Sequence, residues 1–595
     1  MIAEVYPLRR MPRTFSHLDY FVPEGMDVQA GSFVQIPFRQ NQIFGIIKRV
    51  KDKPPRGITL KPITSVFGEL ALHADELSFF ENIATQIAQS VSSLLHASLP
   101  HPPKKKKSVT TESLAGTSLT IPAQESETVA RLAKQMHERR FSFLTIPDLR
   151  RTAAVIARYL YQQPDQKAVI VCPTVRDVML LCRFLHQLSP LFVTGEETNQ
   201  ERFEAWKNYR HAKKALLITT RTGLLYPDAA TTTLFLVRSN HANHIQHDRN
   251  PRLDARVVTK LFAERFTTNL FFMDVAATLE DLLQFGKDQF LFFPIRTPVQ
   301  FIDAAKERPV SSQSAITTTT CERIAEVIEA GGRVLVVYNK KGYAIRLRCA
   351  QCDHRFVCSS CKHLVRVHAT TIQCVHCGLT EPSPQRCPSC KSPNVQQRGY
   401  GSERLHELFR GWFPNTTIQL VDAQHPEFDS SVTLTLATQY FFENHFDPFD
   451  EHRFQCVIHL DPDSPLFATS FRATQRAIHG LCEWIGVAHA NHVPTVVQTE
   501  EGGLFEDFLQ NPILQLEEEY SIRSTYAQPP FAQWIRVTIR EEEKKKRELE
   551  AYLLTASLQK FEGVRVGTQA TSVTDEQVLV VRTPLTVLQA VLHFF

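Results

Sequence analysis

Apolar and polar positions alternate over the first stretch of the chain, beginning at Ile2-Ala-Glu-Val-Tyr6. Turn signals at Pro23-Glu24-Gly25 and Ala30-Gly31 punctuate it. Strand-like runs from Ser32 to Pro37 and from Ile43 to Val50 follow, then a helix pattern from about Ala74 to Ala97. Residues 1–100 thus read as a small β-rich module. His101-Pro102-Pro103, the run Lys104 to Lys107 and a Ser/Thr/Gly-rich stretch mark residues 101–126 as a linker. Its lysines read first as a solvated charge run and second as phosphate contacts.

From residue 127 the pattern changes to short β-branched runs between helical segments. One series contains Ala168 to Cys172, Ala215 to Thr220, Leu234 to Val237 and Asn269 to Asp274. A second contains Arg333 to Tyr338, Thr417 to Asp422, Val432 to Ala437, Cys456 to Leu460 and Thr495 to Gln498. Strands alternating with helices predict βαβ units and parallel sheets covered on both faces. The expected class is α/β, with one lobe over 127–310 and a second over 311–505. Residues 506–595 read as an α+β tail domain, with an acidic-basic run at Glu541 to Lys546 and strand-like pieces around Val564 and Val578.

Composition narrows this little. A 595-residue chain with 43% hydrophobic and 22% charged residues is ordinary for a globular protein of several domains. The net charge of +5 permits a nucleic-acid partner without arguing for one. The N-terminus shows no apolar signal region, and no run of eighteen apolar residues occurs, so a cytoplasmic protein without membrane spans is expected.

The cysteines change the picture. Eight of thirteen form four C-x-x-C pairs: Cys349/Cys352, Cys358/Cys361, Cys374/Cys377 and Cys387/Cys390. One tight turn presents two thiolates to an ion and two pairs complete a tetrahedral shell, so four pairs predict two Zn2+ within residues 346–398. The block carries Arg346, Arg348, Arg355, Lys362, Arg366, Lys391 and Arg398 between its pairs. These charges suit docking to nucleic acid or protein, and equally suit keeping a small module soluble. His363, His368 and His376 are spare ligands that a full thiolate set does not need.

This arrangement resembles the bacterial replication-restart helicase family, primosomal protein N′ (PriA). Pro12-Arg13-Thr14 with Leu18-Asp-Tyr-Phe-Val-Pro-Glu-Gly25 resembles its P-R-x-F-D-Y-x-x-P-E-G. Thr219-Thr-Arg-Thr-Gly223 resembles G-T-R-S-A, and Tyr338-Asn-Lys-Lys-Gly-Tyr-Ala344 leads into the cysteines as the family's motif does. Arg386-Cys-Pro-Ser-Cys390 is followed by Gly399-Tyr-Gly-Ser-Glu403, close to G-x-G-T-E. Leu466-Phe467, Phe471-Arg472 and Arg476 resemble a further stretch, and Gln528-Pro-Pro-Phe531 resembles the L-P-P-[WY] junction. The resemblance implies two RecA-like helicase lobes, a monomer and nested zinc pairing: Cys349/Cys352 with Cys387/Cys390, and Cys358/Cys361 with Cys374/Cys377. The family's winged helix has no counterpart beyond the Lys-rich linker.

The resemblance also implies an ATP-dependent 3′-5′ DNA helicase, and the motor motifs depart from it. A P-loop, G-x-x-x-x-G-K-[ST], cradles phosphates on glycine backbone and bridges them with lysine. The aligned segment is Thr145-Ile-Pro-Asp-Leu-Arg-Arg-Thr152, with no glycine, Asp148 where phosphates would sit, and Arg151 in place of lysine. Arg151 and Thr152 are the remnant of that site. The acidic D-E-E-H expected after Leu234 to Val237 is Arg238-Ser-Asn-His241, which inverts the charge where magnesium would bind. The G-S-A-T-P motif has become Asp274-Val-Ala-Ala-Thr278, and Glu443-Asn444 stands where K-G follows Thr438-Gln439. The arginine-finger segment aligns with Glu483 to Asn491, which holds no arginine; such a finger is worth about 10³ to 10⁵ in turnover. No catalytic residue, ATP or Mg2+ is expected.

The family's N-terminal module takes the 3′ end of a strand at a fork. Carried over residue by residue, Asp19, Tyr20 and Lys61 match its pocket, Leu18 replaces a Phe, and Arg39 replaces a Gly. A tyrosine stacks a base, a carboxylate accepts a hydroxyl proton and a lysine neutralises phosphate. Tyr20 as a packed strand residue and Asp19 as a turn former is the competing reading. The expected function is binding of forked or branched DNA in replication restart, with primosome or single-strand-binding proteins as partners, without ATP hydrolysis. The alternatives are a divergent active helicase and a protein-interaction scaffold that binds no DNA.

Overall fold

The computed structural model describes residues 1–52, 59–87, 89–102, 116, 118–163, 165–246, 250–310, 316–340, 346–352, 354, 356–359, 365–367, 370–374, 379–398, 401–450, 453–467, 470–569, 575–588 and 590–591. They fall into two compact units, Met1–Ala277 with Leu283–Phe293, and Thr278–Leu282 with Pro294–Phe595.

The first unit opens with an antiparallel five-stranded sheet, in spatial order Leu18–Phe21, Ile2–Pro7, Asn41–Lys51, Ser32–Phe38 and Ser65–Ala71. Alternation supplies its core: Ala3, Val5, Tyr20, Val34, Ile36 and Ile47 point to one buried face. The single helix expected over 74–97 is two, Ala74–Gln86 and Val91–Ser98. Ser90 starts the second by accepting a hydrogen bond from the Ser93 backbone N–H at 3.2 Å, as an N-cap does. These helices fasten the module within its unit. Arg210 donates to both carboxylate oxygens of Glu76 (2.9 and 3.2 Å), and Phe79 meets Phe262 and Phe266 edge-on.

The rest of this unit is a seven-stranded sheet, in order Phe290–Phe292, Phe141–Thr145, Asn269–Asp274, Thr231–Val237, Lys167–Val171, Ala215–Thr219 and Leu191–Val193. Every neighbouring pair is parallel. Lys167–Val171 is buried throughout, as a strand covered on both faces must be. The helix Ala123–His137 starts four residues before the expected lobe boundary. Strand order places the loops after Phe141–Thr145, Asn269–Asp274 and Thr231–Val237 side by side, at the carboxyl edge where open α/β sheets bind ligands.

The second unit holds a six-stranded parallel sheet, in order Val299–Asp303, Thr495–Thr499, Cys456–Leu460, Val334–Tyr338, Leu434–Ala437 and Ile418–Val421. The two parallel sheets are the α/β lobes the alternation predicts. Small antiparallel sheets build the cysteine block, Arg346–Cys349 with Val395–Arg398, and Val365–Val367 with Thr371–Cys374 and Thr380–Pro382. The tail is a three-stranded antiparallel sheet in the order Ala532–Arg540, Glu576–Pro584, Arg565–Gln569, with the helix Lys544–Leu558. Among the described residues no helix is long and apolar enough to cross a membrane.

Candidate functional site

The turn after Phe141–Thr145 is where a nucleotide site would lie, and protein groups fill it. Asp148 caps the helix Leu149–Tyr161: its Oδ1 accepts from the Arg151 N–H at 2.9 Å. A carboxylate therefore occupies the anion-binding end of the helix. The Arg151 side chain is fully buried, with Nη1 3.1 Å from Asp148 and Nε and Nη2 2.8 and 3.1 Å from the two oxygens of Glu125. Burial works against its charge, but Asp148 and Glu125 outweigh that and raise its pKa. Thr152 Oγ1 donates to the Asp148 carbonyl at 2.9 Å. Arg150 Nε donates to the Thr120 carbonyl at 2.6 Å, tying residues 118–122 to the same turn. Glu125 carried no signal in the sequence beyond its place in the first turn of its own helix.

The neighbouring turn is also internally bonded. Arg238 stands at φ 49° with Nη1 3.3 Å from Asp177 Oδ2. The Asn240 N–H donates to Asp274 Oδ2 at 2.6 Å, its side chain donates to the Ala276 carbonyl at 3.0 Å, and Arg256 donates to its Oδ1 at 2.8 Å. His241 caps a short turn, its Nδ1 accepting from Asn243 at 3.1 Å. In the second unit, Asn339 Oδ1 accepts from the Gln439 N–H at 2.7 Å, and Gln439 Nε2 donates to Glu483 at 2.7 Å. Lys340 pairs with Asp461. Glu483 to Asn491 lies buried in the helix Ala473–Asn491, with no side chain projecting as a finger would.

The cysteine block forms one evident metal centre. The sulfurs of Cys349, Cys352, Cys387 and Cys390 lie within 4.8 Å of one another, with Cys349–Cys390 at 3.5 Å and Cys352–Cys387 at 3.6 Å. Thiolates about 2.3 Å from a tetrahedral zinc stand about 3.8 Å apart, so the cage fits that ion. Antiparallel pairing of Arg346–Cys349 with Val395–Arg398 brings the two distant pairs together. Cys358 and Cys374 are buried in the block's small core beside Val365, Val367 and Ile372. Cys361, Cys377, His363, His368 and His376 lie outside the described residues.

In the N-terminal module the Phe21 N–H donates to the Lys61 carbonyl at 3.0 Å and the Ile63 N–H to the Phe21 carbonyl at 2.9 Å, so Lys61 and Tyr20 stand side by side. Lys61 is exposed. The Tyr20 ring is packed at 4% exposure, its hydroxyl donates to the Pro37 carbonyl at 3.0 Å, and burial pushes its pKa up to about 12. Both Asp19 oxygens accept from Lys51 Nζ at 3.0 Å. Lys51 also donates to Glu4 at 3.0 Å, and Glu4 takes a bidentate fork from Arg49 at 2.8 and 2.9 Å. The Arg49 bonds, against burial, hold Glu4 down to about 2. His17 Nε2 lies 3.5 Å from Glu4, and burial lowers its pKa. Glu4, His17, Arg49 and Lys51 went unnoticed in the sequence; the one signal was Glu4, a charge in the otherwise apolar strand Ile2–Pro7.

The described residues thus hold two parallel-sheet α/β lobes, a four-cysteine cluster and an antiparallel N-terminal domain. Residues 8–100 match the PriA 3′DNA-binding domain (3′BD). Over longer stretches the chain is similar to Replication restart protein PriA of Rickettsia felis, at 21% identity over 427 residues, 69% of this chain and 65% of that protein. It is 24% identical over 300 residues to that of Haemophilus influenzae, covering 47% of this chain and 40% of that protein. For the Bacillus subtilis protein the figures are 20% over 323 residues, 50% and 40%. At this low identity the chain is similar to the PriA replication restart proteins, and it spans 40% to 65% of the length of these three. The solved structure of S. cerevisiae Dbp5 bound to RNA and ADP BeF3 aligns with 68% of this chain and 93% of its own at 8% identity and a TM-score of 0.34.

Proposed function

We propose that this protein binds forked or branched DNA in replication restart, taking strand ends on its N-terminal module, and that it does so without hydrolysing ATP or unwinding duplex. The observation that carries the second half is Arg151. A phosphate-bridging cation must be free to meet its ligand, whereas this guanidinium is enclosed by Asp148 and Glu125 with no exposed surface. Asp148 repels phosphate from the same helix end, and Arg238 repels magnesium from the adjoining turn. The first half rests on the match of residues 8–100 to a 3′DNA-binding domain, with Asp19, Tyr20 and Lys61 as its end-proximal residues. The zinc block serves as a rigid platform for DNA or a primosome or single-strand-binding protein. Cys358, Cys361, Cys374 and Cys377 hold a second ion beside the first, and the protein works as a cytoplasmic monomer.

Two measurements on the full chain test this. Fork DNA is expected to bind with a strong inverse dependence on salt. ATP turnover is expected to stay at background with and without that DNA. DNA-stimulated hydrolysis would overturn the motor-less reading. Failure to bind any fork at moderate ionic strength would leave a protein-interaction scaffold in its place.

A further inference from the structure

At the mouth of the end-binding region the hairpin tip Phe38-Arg39 carries a charge that no carboxylate among the described residues pairs with. Arg39 stands at φ 55°, a left-handed position that favours glycine, in the two-residue turn joining Ser32–Phe38 to Asn41–Lys51. Its guanidinium carbon lies 5.8 Å from the centroid of the Phe38 ring, and that of Arg9 lies 5.4 Å from the same ring. Arg10 and Arg9 both depress the pKa of His96, after its burial, so these two cations lie near that ring. Among the described residues no carboxylate pairs with Arg9, Arg10 or Arg39. The tip is also joined to the end-proximal residues, since Tyr20 donates its hydrogen bond to Pro37, the residue before Phe38.

The groups suited to a hydroxyl-terminated nucleoside are committed elsewhere. Asp19 is closed by Lys51, the charges of Glu4 and Asp19 are balanced by Arg49 and Lys51, and the Tyr20 ring faces the core. What remains free near the pocket is positive and aromatic: Arg9, Arg10, Arg39, the Phe38 edge and Lys61. A guanidinium held against a ring keeps its fork directed outward and matches a phosphate's geometry.

We infer that Arg39 and Arg9, held on Phe38, form a phosphate clamp, so that this module takes a strand by its phosphates and accepts a 3′-phosphate end as readily as a 3′-hydroxyl end. This rests on the DNA-binding reading above and specifies its ligand. The clamp gives the strained arginine a role: its side chain supplies binding at a turn whose backbone favours glycine.

The test is titration of the full-length protein with three fluorescent forks whose nascent strand ends in hydroxyl, in phosphate, or is absent, each at several salt concentrations. The hydroxyl and phosphate ends are expected to bind within about twofold of each other. Arg39→Gly, which relaxes the turn and so folds, is expected to weaken the phosphate-ended fork about tenfold and to lower the salt slope by about 0.7, one single-strand phosphate contact. Arg9→Gln should do the same in smaller measure. A tenfold preference for hydroxyl over phosphate, or an Arg39→Gly protein with unchanged slope, overturns the clamp while leaving DNA binding intact. Equal absence of binding to all three forks removes the DNA-binding reading and the clamp together.

Discussion

Replacing Arg151 by alanine tests what this residue does in the turn after Phe141–Thr145. The substitution takes from Asp148 and Glu125, both almost fully buried, the guanidinium that bridges them, leaving Arg150 as a more distant cation. It also removes three charge-assisted hydrogen bonds of 2.8 to 3.1 Å. Breaking a buried pair by deleting one partner costs about 3–5 kcal/mol, against a total domain stability of about 5–15 kcal/mol. A two-unit chain has no single unfolding free energy, so the local readout is hydrogen exchange in the helices Ala123–His137 and Leu149–Tyr161. At pH 7, 3 kcal/mol corresponds to exchange faster by roughly two orders of magnitude. Arg151→Met combined with Glu125→Gln should recover much of the loss, because the uncompensated charge is smaller. Arg151→Lys should fall between, since an ammonium cannot reproduce the bidentate fork to Glu125, and should gain no ATPase activity. A loss below about 1 kcal/mol for Arg151→Ala, or ATP turnover that depends on Arg151, would refute the structural role.

Zinc content gives a second check: the purified chain should hold two ions, and Cys387→Ser should lose one while raising proteolytic cleavage within 346–398, because structural zinc contributes about 10–16 kcal/mol to the folding of such small modules. Retention of both ions would contradict the four-sulfur cage. Acid should destabilise both units. Burial depresses His244 and His459 to about 3, so stability gained by keeping them neutral is complete above about pH 6.5 and is lost towards pH 3, at about 1.4 kcal/mol per pH unit per histidine. Melting temperatures from pH 7 to pH 4 should show this, and His459→Phe should flatten the second unit's response; an unaltered slope would count against the mechanism. Arg39→Gly should stabilise the N-terminal module by about 1 kcal/mol through relief of its left-handed backbone, read as slower exchange in Ser32–Phe38 and Asn41–Lys51.

Much of this architecture was legible in the chain because burial writes a period into it. The apolar run Ala168 to Cys172 and the run Cys456 to Leu460, interrupted only by His459, read as strands covered on both faces, and the structure places Lys167–Val171 and Cys456–Leu460 inside parallel sheets. The short edge strands Leu191–Val193 and Phe290–Phe292 were missed, since three residues carry no period. Ala532–Arg540 was missed because its pattern alternates only loosely towards solvent. In the N-terminal module the matched motif placed Asp19, Tyr20 and Lys61, but not Glu4 and Lys51, which reach Asp19 from other strands.

The linear chain by itself determined most of the longer elements, the four cysteine pairs and the absence of glycine and lysine from Thr145 to Thr152, since spacing and residue chemistry are local properties. Only the tertiary structure brought Cys349, Cys352, Cys387 and Cys390 into one cluster, as the resemblance implied, and showed that Glu125 from a separate helix neutralises Arg151 and that Arg9 meets Arg39 on one phenylalanine ring. Those pairings join residues 26 to 41 positions apart, 30 in the case of Arg9 and Arg39. Electrostatic energy depends on distance in space, and folding alone sets that distance.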